Sequence, residues 1–351
     1  MTDLVESKFT SFKNTSIINK LKSFIIESDI KNLFHINVYK LADEWDISRR
    51  ELLEIFIRTV NFGIFDIQWD FHCPRCGGIA LESLNLIDTK SEDYCPVCEK
   101  DFFNTLDDNI EVFFNINEGL RIIPEEIKKS FMDHITDTVT KNRIYQWKSP
   151  TTISGLDCIN NNVFREIFGN ETLPVDQSLA IKYATILFTD IKGSTAMYER
   201  LGDAKAYTLV REHFEIIFNN IQRHNGVPIK TIGDAVMGVF NSETDALDAA
   251  FQSQKALKSF YSDKDEKIEV KIGLHSGSVL VVTLNNTLDY FGSTVNTAAR
   301  IQNLSQPNQI TFSELVYANN KKKIASYVKK LQRSKNNLKG LSEDFTIYHA
   351  L

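Results

Sequence analysis

The chain has 351 residues, a formal net charge of −6 and 42% hydrophobic residues, which is the composition of an ordinary globular protein. The acidic balance disfavours nucleic-acid binding by the chain as a whole. No apolar run approaches the ~18 residues that a membrane-spanning helix needs, and the polar N-terminus lacks the hydrophobic region of a signal peptide. We therefore expect a cytoplasmic protein without a membrane span, and the length favours two domains.

The first sixty residues carry helical patterns. Amphipathic spacing predicts helices over 17–28 and 38–45, and a capping-box sequence at 48–51 opens a third helix that Gly63 ends. Residues 65–71 then alternate apolar and polar side chains, as a half-buried strand does. This order also occurs in winged helices, but the basic residues are few among many acidic ones, so a small helical scaffold is favoured over DNA binding.

Four of the five cysteines form two C-x-x-C pairs, a pattern that indicates metal binding in a reducing compartment. The pairs are Cys73 with Cys76 and Cys95 with Cys98. Four thiolates in a tetrahedron suit one structural Zn²⁺, and the spacing is within the range of structural zinc sites. A redox dithiol pair or an iron–sulfur site is the alternative. His72 adjoins the first pair, but four cysteines already complete a ligand shell.

Apolar residues alternate over 110–116 and predict a strand that closes the zinc-bearing lobe. The predicted organisation is an N-terminal helical and zinc-ribbon regulatory domain over 1–118, a connector over 119–179 and a catalytic domain over 180–351. Within the connector, a helix is expected over 125–140. Cys158 is expected to be a small buried residue.

The C-terminal half alternates strands and helices. The predicted order is a buried strand over 184–189, a helix over 194–220 broken at Gly202, hairpin strands over 229–232 and 235–240, a helix over 246–260, a strand from 268 that Gly277 turns into a second strand over 279–283, and a helix over 295–304.

Three motifs in this half carry chemistry. Asp190 ends a strand and precedes Gly-Ser-Thr, Asp234 follows a glycine at the hairpin turn, and Asp289 begins the run Asp-Tyr-Phe-Gly-Ser-Thr-Val-Asn-Thr-Ala-Ala-Arg. Their order and spacing resemble the class III nucleotidyl cyclase catalytic domain over roughly residues 180–351. The resemblance implies an α+β, ferredoxin-like fold with an antiparallel-rich sheet and helices on one face.

The resemblance also implies a two-metal site. Asp190, Asp234 and the carbonyl of Ile191 match the ligands of two Mg²⁺ or Mn²⁺ ions per active site. Asp190 could instead cap the following helix, and the two roles are compatible. The free amides at the start of that helix, those of Gly193, Ser194 and Thr195, are expected to bind phosphates.

Substrate-binding residues are implied in the same way. Lys230 and Asp289 match the positions that read the base, and a carboxylate with an ammonium suits adenine. Asn296 and Arg300 lie four residues apart on one helix, and they match the pair that orients the ribose and neutralises charge on the α-phosphate. Lys339 resembles a late phosphate-contacting lysine, although other basic residues are close by.

The implied activity is an adenylate cyclase that converts ATP to 3′,5′-cyclic AMP and pyrophosphate. The resemblance implies a homodimer in which the metal aspartates of one protomer face the base-reading and Asn/Arg residues of the other. The alternatives are a catalytically silent nucleotide-binding sensor on a cyclase scaffold, a cyclic-dinucleotide synthase and a zinc-lobe transcription regulator. The N-terminal block resembles an uncharacterised module found ahead of some bacterial adenylate cyclases, so a regulatory ligand or protein could act there.

Overall fold

The computed structural model describes residues 2–13, 15–141, 143–169, 173–174, 176–262, 264–337 and 344–350. The chain divides into two compact units. The first comprises Met1–Ile159, Val163–Ala180 and Val282–Leu288, and the second comprises Asn160–Asn162, Ile181–Val281 and Asp289–Leu351. The predicted boundaries at residues 118 and 179 stay a prediction. No helix in the described ranges is both long enough and apolar enough to cross a membrane.

The first unit is built from helices followed by a small sheet. Its elements are α1 (Thr2–Lys8), α2 (Ser16–Glu27), α3 (Val38–Trp45), α4 (Arg49–Asn61), β1 (Phe65–His72), β2 (Ile79–Ser83), β3 (Glu92–Cys95), β4 (Lys100–Phe103), β5 (Ile110–Ile116), α5 (Glu125–Thr140), α6 (Gly155–Ile159) and most of α7 (Asn162–Phe168). The three-stranded sheet has the order β2-β1-β5, and β3 and β4 form a separate hairpin.

The predicted helices of this unit are confirmed, and their caps follow from the sequence. The Ser48 hydroxyl accepts a hydrogen bond from the Glu51 amide at the start of α4, and Gly63 takes the left-handed conformation just after its end, with φ of 60°. Cys158 is fully buried, as expected.

The prediction that β1 is half-buried is wrong, because both of its faces are covered. Every residue of β1 except Asp66 is buried. On one face, Phe65 stacks on Phe56 of α4 with ring centroids 4.7 Å apart. On the other face, the polar side chains of Gln68 and Asp70 are also buried. The alternation was therefore read correctly as a strand, but its polar face does not meet solvent.

The second unit contains an eight-stranded sheet and five helices among the residues described. Its elements are β6 (Ser178–Ile191), α8 (Ser194–Leu201), α9 (Asp203–Arg223), β7 (Val227–Ile232), β8 (Ala235–Phe240), α10 (Glu243–Phe260), β9 (Val270–Leu284), β10 (Thr287–Phe291), α11 (Ser293–Asn303), β11 (Ile310–Ser313), α12 (Glu314–Tyr327), β12 (Leu331–Asn337) and β13 (Asp344–Ala350). The ends of β6, β9 and β10 lie in the first unit.

The sheet of this unit has the order β12-β13-β11-β9-β6-β8-β7, and β10 pairs with β9. β6 with β8, β7 with β8, β11 with β13 and β12 with β13 are antiparallel, whereas β11 and β9 are parallel. The predicted α+β fold with an antiparallel-rich sheet is confirmed.

Helices cover the sheet unequally. The main hydrophobic cluster joins one face of the sheet to α9, α10 and α12, and it includes Ala350 of β13. Ile347 lies three residues before Ala350 on the same strand, and it packs instead with Ile301 of α11. Alternate residues of a strand point to opposite faces, so α11 lies on the face opposite the main cluster. The expectation of helices on one face therefore holds for α9, α10 and α12, and α11 is the exception.

The prediction that Gly277 turns the chain between two strands is wrong. β9 runs without interruption from Val270 to Leu284. A Cβ at Gly277 would lie 2.7 Å from the Thr294 hydroxyl oxygen, closer than real contacts allow. Thr294 belongs to α11, so the glycine permits a close approach between that helix and the strand.

Candidate active site

The Asp190 and Asp234 carboxylates converge because their strands are neighbours. β6 pairs with β8 in antiparallel register with Thr189 opposite Val236. Asp190 follows Thr189, and Asp234 lies in the turn that leads into β8. The amide of Ile191 donates a hydrogen bond to Oδ2 of Asp234 at 3.2 Å. The structure thus brings together the two strand ends that the sequence predicted to hold metal ions.

The electrostatics of this pair fit a cation. Burial, and then the Asp234 carboxylate, raise the pKa of Asp190, and the positive charge of Lys271 opposes the increase. Two carboxylates close enough to disfavour each other's charge are stabilised when a cation lies between them. Oxygen donors of this kind are the ligands that Mg²⁺ and Mn²⁺ prefer. The residues present therefore fit the implied metal ions.

Gly193 shapes the turn between β6 and α8. Its φ of 66° is left-handed, and apart from its chain neighbours no atom of the described residues lies within 4 Å of where a Cβ would be. α8 begins at Ser194, and the first amides of a helix have no acceptor within it. Thr195 is exposed to solvent. The predicted phosphate-binding segment therefore lies at a helix start just beyond Asp190.

Lys230 and Asp289 form an ion pair. The ammonium of Lys230 on β7 lies 2.5 Å from Oδ2 of Asp289 on β10. The Asp289 side chain is only 7% exposed and that of Lys230 is 35% exposed. Oδ1 of Asp289 accepts a hydrogen bond from the Tyr290 amide at 2.8 Å, which orients the carboxylate. The two predicted base-reading residues thus occupy one partly buried position.

Asn296 and Arg300 lie one turn apart on α11, as predicted. Asn296 is exposed and Arg300 is half-buried. In the described part of the chain, neither side chain makes a hydrogen bond or an ion pair with Asp190 or Asp234. The structure of one chain therefore does not join this pair to the aspartates. Lys339 lies outside the described residues.

The four cysteines of the first unit meet in one cluster. The sulfur atoms of Cys73, Cys76, Cys95 and Cys98 all lie within 4.8 Å of one another. The Cys73–Cys98 and Cys76–Cys95 sulfur pairs are 3.8 Å and 3.7 Å apart. Four sulfurs at about 2.3 Å from one Zn²⁺ would be separated by about 3.8 Å along each tetrahedral edge. The separations fit a tetrahedral zinc site, and the cysteines are free thiols.

His72 supports the first cysteine knuckle from outside the cluster. Its ring nitrogens lie 2.8 Å from the Gly77 carbonyl oxygen and 3.1 Å from Oε2 of Glu111. The imidazole stacks on Trp147, with ring centroids 4.1 Å apart. These contacts tie the knuckle to the sheet, so His72 acts as a neighbour of the cluster, in agreement with the sequence.

Sequence patterns indicate neither the buried His213 nor a cluster of three polar residues in the first unit. His213 of α9 is fully buried, and burial lowers its pKa to about 4, although the charge of nearby Asp234 opposes this. It occupies an apolar position in the helical spacing, so periodicity concealed it. The second group is His35, Asp70 and Glu82 in the first unit, whose ligand atoms also lie within 4.8 Å of one another. Only a tertiary structure brings these three together.

Comparison with known protein families agrees with the geometry. The family described as "Adenylate and Guanylate cyclase catalytic domain" matches residues 177–350. Residues 177–350 are an adenylate/guanylate cyclase catalytic domain. A "Family of unknown function (DUF5939)" matches residues 4–259, so the chain also belongs to that family. This second match covers the N-terminal block and also the first part of the cyclase domain, so the expected N-terminal module stays a prediction.

Curated relatives include cyclases of both kinds. An adenylate cyclase from Anabaena cylindrica is 34% identical over 136 residues, which are 35% of this chain and 27% of that protein. The receptor-type guanylate cyclase gcy-13 from Caenorhabditis elegans is 28% identical over 163 residues, 42% of this chain and 16% of that protein. The chain thus spans about a quarter or less of the length of these relatives.

Solved structures with a similar region include the adenylyl cyclase CyaB from P. aeruginosa. It is 21% identical, with a TM-score of 0.43, over 50% of this chain and 96% of that structure.

Proposed function

We propose that the protein is an adenylate cyclase that converts ATP to 3′,5′-cyclic AMP and pyrophosphate. The observation that carries this proposal is the convergence of Asp190 and Asp234 at adjacent strand ends within a cyclase catalytic domain. The reaction requires in-line attack by the ribose 3′-hydroxyl on the α-phosphorus, and two carboxylates side by side can bind ions at both the attacking and the leaving oxygen.

Asp190, Asp234 and the carbonyl of Ile191 would hold two Mg²⁺ or Mn²⁺ ions. When bound, such ions lower the pKa of the attacking hydroxyl and offset charge on the leaving pyrophosphate. The amides at the start of α8 would bind phosphate oxygens, because the first amides of a helix have no acceptor within it and these follow Asp190 closely. In this scheme the protein positions the triphosphate and supplies no general base of its own.

The Lys230–Asp289 pair supports ATP as the substrate. Adenine offers an amino donor at N6 and an acceptor at N1, which a carboxylate and an ammonium can satisfy together. Guanine reverses this pattern and would leave buried polar groups unpaired, at about 1–3 kcal/mol per group. When the base binds, the ion pair between Lys230 and Asp289 would separate, and each side chain would form a hydrogen bond to the edge of adenine instead.

A homodimer would complete the site. Asn296 is exposed on α11 and bonds to neither metal aspartate within one chain, which fits a role across an interface. Arg300 would then neutralise charge on the α-phosphate of a nucleotide held by the partner's aspartates, with a planar guanidinium suited to phosphate oxygens. Mixing inactive Asp234→Ala chains with inactive Arg300→Ala chains should restore one active site per mixed dimer. Absence of any rescue would argue for a site within one chain.

We further propose that the four-cysteine cluster holds one structural Zn²⁺, which would stabilise a lobe too small to build a large core.

The decisive test is an assay of the pure protein with ATP and, separately, GTP, in the presence of Mn²⁺ or Mg²⁺, with Asp234→Ala as the control. Cyclic AMP that is lost in Asp234→Ala supports the reaction and the metal pair together. Equal turnover of GTP would contradict the proposed base preference. ATP binding without any cyclic product would favour the nucleotide-binding sensor.

A further inference from the structure

A second cluster of metal-ligating side chains lies in the first unit, apart from the cysteines. It consists of His35, Asp70 and Glu82, and one ligand atom from each lies within 4.8 Å of the others. Asp70 comes from the polar face of β1, Glu82 from the adjacent strand β2, and His35 from the segment before α3. Asp70 and Glu82 are opposite each other in the β1–β2 pairing. The convergence is therefore fixed by sheet register.

The interior members of the cluster are held in place. Asp70 is fully buried. The His35 imidazole lies between two aromatic rings, with centroids 4.1 Å from Phe113 and 4.0 Å from Phe131. Its Nε2 lies 3.3 Å from Oδ2 of Asp70. Glu82 is exposed, so it can adjust its position while the other two remain fixed.

The cluster contains more acceptors than the protein satisfies. The amide nitrogen of Gln68 lies 2.8 Å from Oδ1 of Asp70, 2.9 Å from Oε1 of Glu82 and 3.2 Å from Nε2 of His35. An amide has two hydrogens for these three neighbours. Oδ2 of Asp70 makes no hydrogen bond with any part of the described structure, although it is buried. Nε2 of His35 lies 3.3 Å from this oxygen without making a hydrogen bond to it, so a bound cation would stabilise a carboxylate that is otherwise poorly satisfied.

The orientation of Gln68 follows from its neighbours. The His35 amide donates to Oδ1 of Asn115, and Nδ2 of Asn115 donates to Oε1 of Gln68 at 2.7 Å. A backbone amide can only donate, so the atom of Asn115 that faces it must be the oxygen. The NH₂ group of Asn115 then faces Gln68, and the atom of Gln68 that accepts from it must also be the oxygen. The NH₂ group of Gln68 therefore faces the acceptor atoms of His35, Asp70 and Glu82. It occupies, as a neutral donor, the position that a cation would take.

The cluster is reachable from solvent on the side of Glu82. Gln68 and Glu82 line a cavity of about 530 Å³, and its other lining residues include Phe34, Leu84 and Met132. An ion could enter through this cavity, and water within it could fill coordination positions that the protein leaves open.

We propose that His35, Asp70 and Glu82 bind one divalent first-row transition-metal ion, displacing the Gln68 amide. One imidazole nitrogen with two carboxylates suits Mn²⁺, Fe²⁺, Co²⁺ or Zn²⁺ better than Ca²⁺ or Mg²⁺, which favour oxygen ligands alone. Ligands at about 2.1 Å from one ion lie at most about 4.2 Å apart, so a small inward movement of the exposed Glu82 completes the site. This ion is additional to those proposed for the cysteines and the catalytic aspartates.

The test uses Co²⁺ and the full-length chain carrying Asp190→Asn and Asp234→Asn, which removes the catalytic metal ligands. Equilibrium dialysis against Co²⁺, with cobalt and zinc both counted per chain, separates new binding from replacement of zinc at the cysteines. We expect each chain to bind about one Co²⁺ more than the number of Zn²⁺ ions that it loses. Adding Asp70→Asn, which keeps the size of the side chain, should weaken this binding at least 10-fold.

Asp66→Asn is the matched control. Asp66 lies on the same strand, lines the same cavity and carries the same charge, but its carboxylate is bonded to Asn117 outside the cluster. It should bind Co²⁺ as the parent does. If Asp70→Asn does not fold, Glu82→Gln tests the same site at an exposed position. No cobalt beyond the zinc lost, or equal binding by the Asp66, Asp70 and Glu82 variants, would overturn the proposal.

Discussion

The ammonium of Lys230 lies 2.5 Å from the carboxylate of Asp289, although 59 residues separate them in the sequence. The pair is partly desolvated, and the Asp289 carboxylate has two partners, the Lys230 ammonium and the Tyr290 amide. Under the proposed function, a nucleotide base that enters here would have to offer both groups a replacement partner. Base selection would then depend on two side chains acting together.

Replacing Lys230 with Met should lower kcat/KM for ATP by about 5- to 150-fold, because N1 of the bound adenine would lose the ammonium that donates to it, at about 1–3 kcal/mol. The effect on GTP should be smaller, so the ATP-to-GTP ratio of kcat/KM should fall. Cyclase assays with both nucleotides measure this. Lys264→Met, which removes an ion pair with Glu212 elsewhere in the domain, is the control and should leave the ratio unchanged. An unaltered ratio in Lys230→Met would refute base reading by this pair.

Replacing Arg300 with Ala should reduce kcat by about 100-fold or more, with a much smaller change in KM for ATP. The reason is that charge on the α-phosphate develops in the transition state, where a positioned donor acts most strongly. Steady-state kinetics separate the two constants. Arg300→Lys keeps the charge but loses the planar fork, so it should recover only part of the activity. A rise in KM with unchanged kcat would indicate that Arg300 serves ground-state binding alone.

Removing one cysteine of the cluster should release the metal. Cys95→Ser should lower zinc content from about one per chain towards zero and destabilise the protein by roughly 2 kcal/mol or more. Elemental analysis and thermal unfolding measure the two effects. Cys158→Ala is the matched control, because Cys158 is buried but lies outside the cluster. Zinc retained in Cys95→Ser, or lost equally in Cys158→Ala, would contradict the assignment.

His275 should make the protein less stable in acid. Burial lowers its pKa from 6.5 to about 4, and the charge of Glu243 opposes this only in part. Between these two values the unfolded chain binds a proton that the folded chain does not, so stability is complete above pH 6.5 and falls as the pH decreases towards 4.

His275→Gln should therefore flatten the dependence of unfolding free energy on pH within this window, by up to about 1.4 kcal/mol per pH unit. Urea titrations between pH 7 and 4.5 provide the measurement, and the difference between the two proteins isolates this histidine from other titrating groups. Parallel curves for the two proteins would show that His275 is not responsible.

Local patterns in the sequence were sufficient for the catalytic elements. The hairpin around Asp234, the helix break at Gly202 and the shared face of Asn296 and Arg300 depend on residues within a few turns of one another. Hydrophobic periodicity and turn residues encode such features directly. The two Cys-x-x-Cys pairs could also be recognised from the sequence, because this spacing lets both cysteines of a pair face one metal ion.

Features that depend on a distant part of the chain packing against a strand could not be predicted from the local sequence. The polar side chains of β1 predict an exposed face, yet Gln68 and Asp70 on that face are buried and contact His35. Gly277 suggests a turn when the strand is considered alone, and only the position of Thr294 reveals the reason for the glycine. β10, which carries Asp289, was not predicted as a strand, although only Asn285 and Asn286, both with positive φ, separate it from β9. This two-residue hairpin turn is a local signal in the sequence.

The close approach at Gly277 has a consequence for how the sequence can vary. Thr294 also donates a hydrogen bond to the Ser278 carbonyl oxygen at 2.6 Å, so the first turn of α11 is fastened to β9. Asn296 lies half a turn further along that helix. A larger residue at position 277 would displace the helix that carries a proposed nucleotide-contacting side chain, without touching any nucleotide. Deep mutational scanning should therefore show loss of activity for most substitutions of this glycine. A larger residue at this position would be tolerated only together with a compensating substitution on α11.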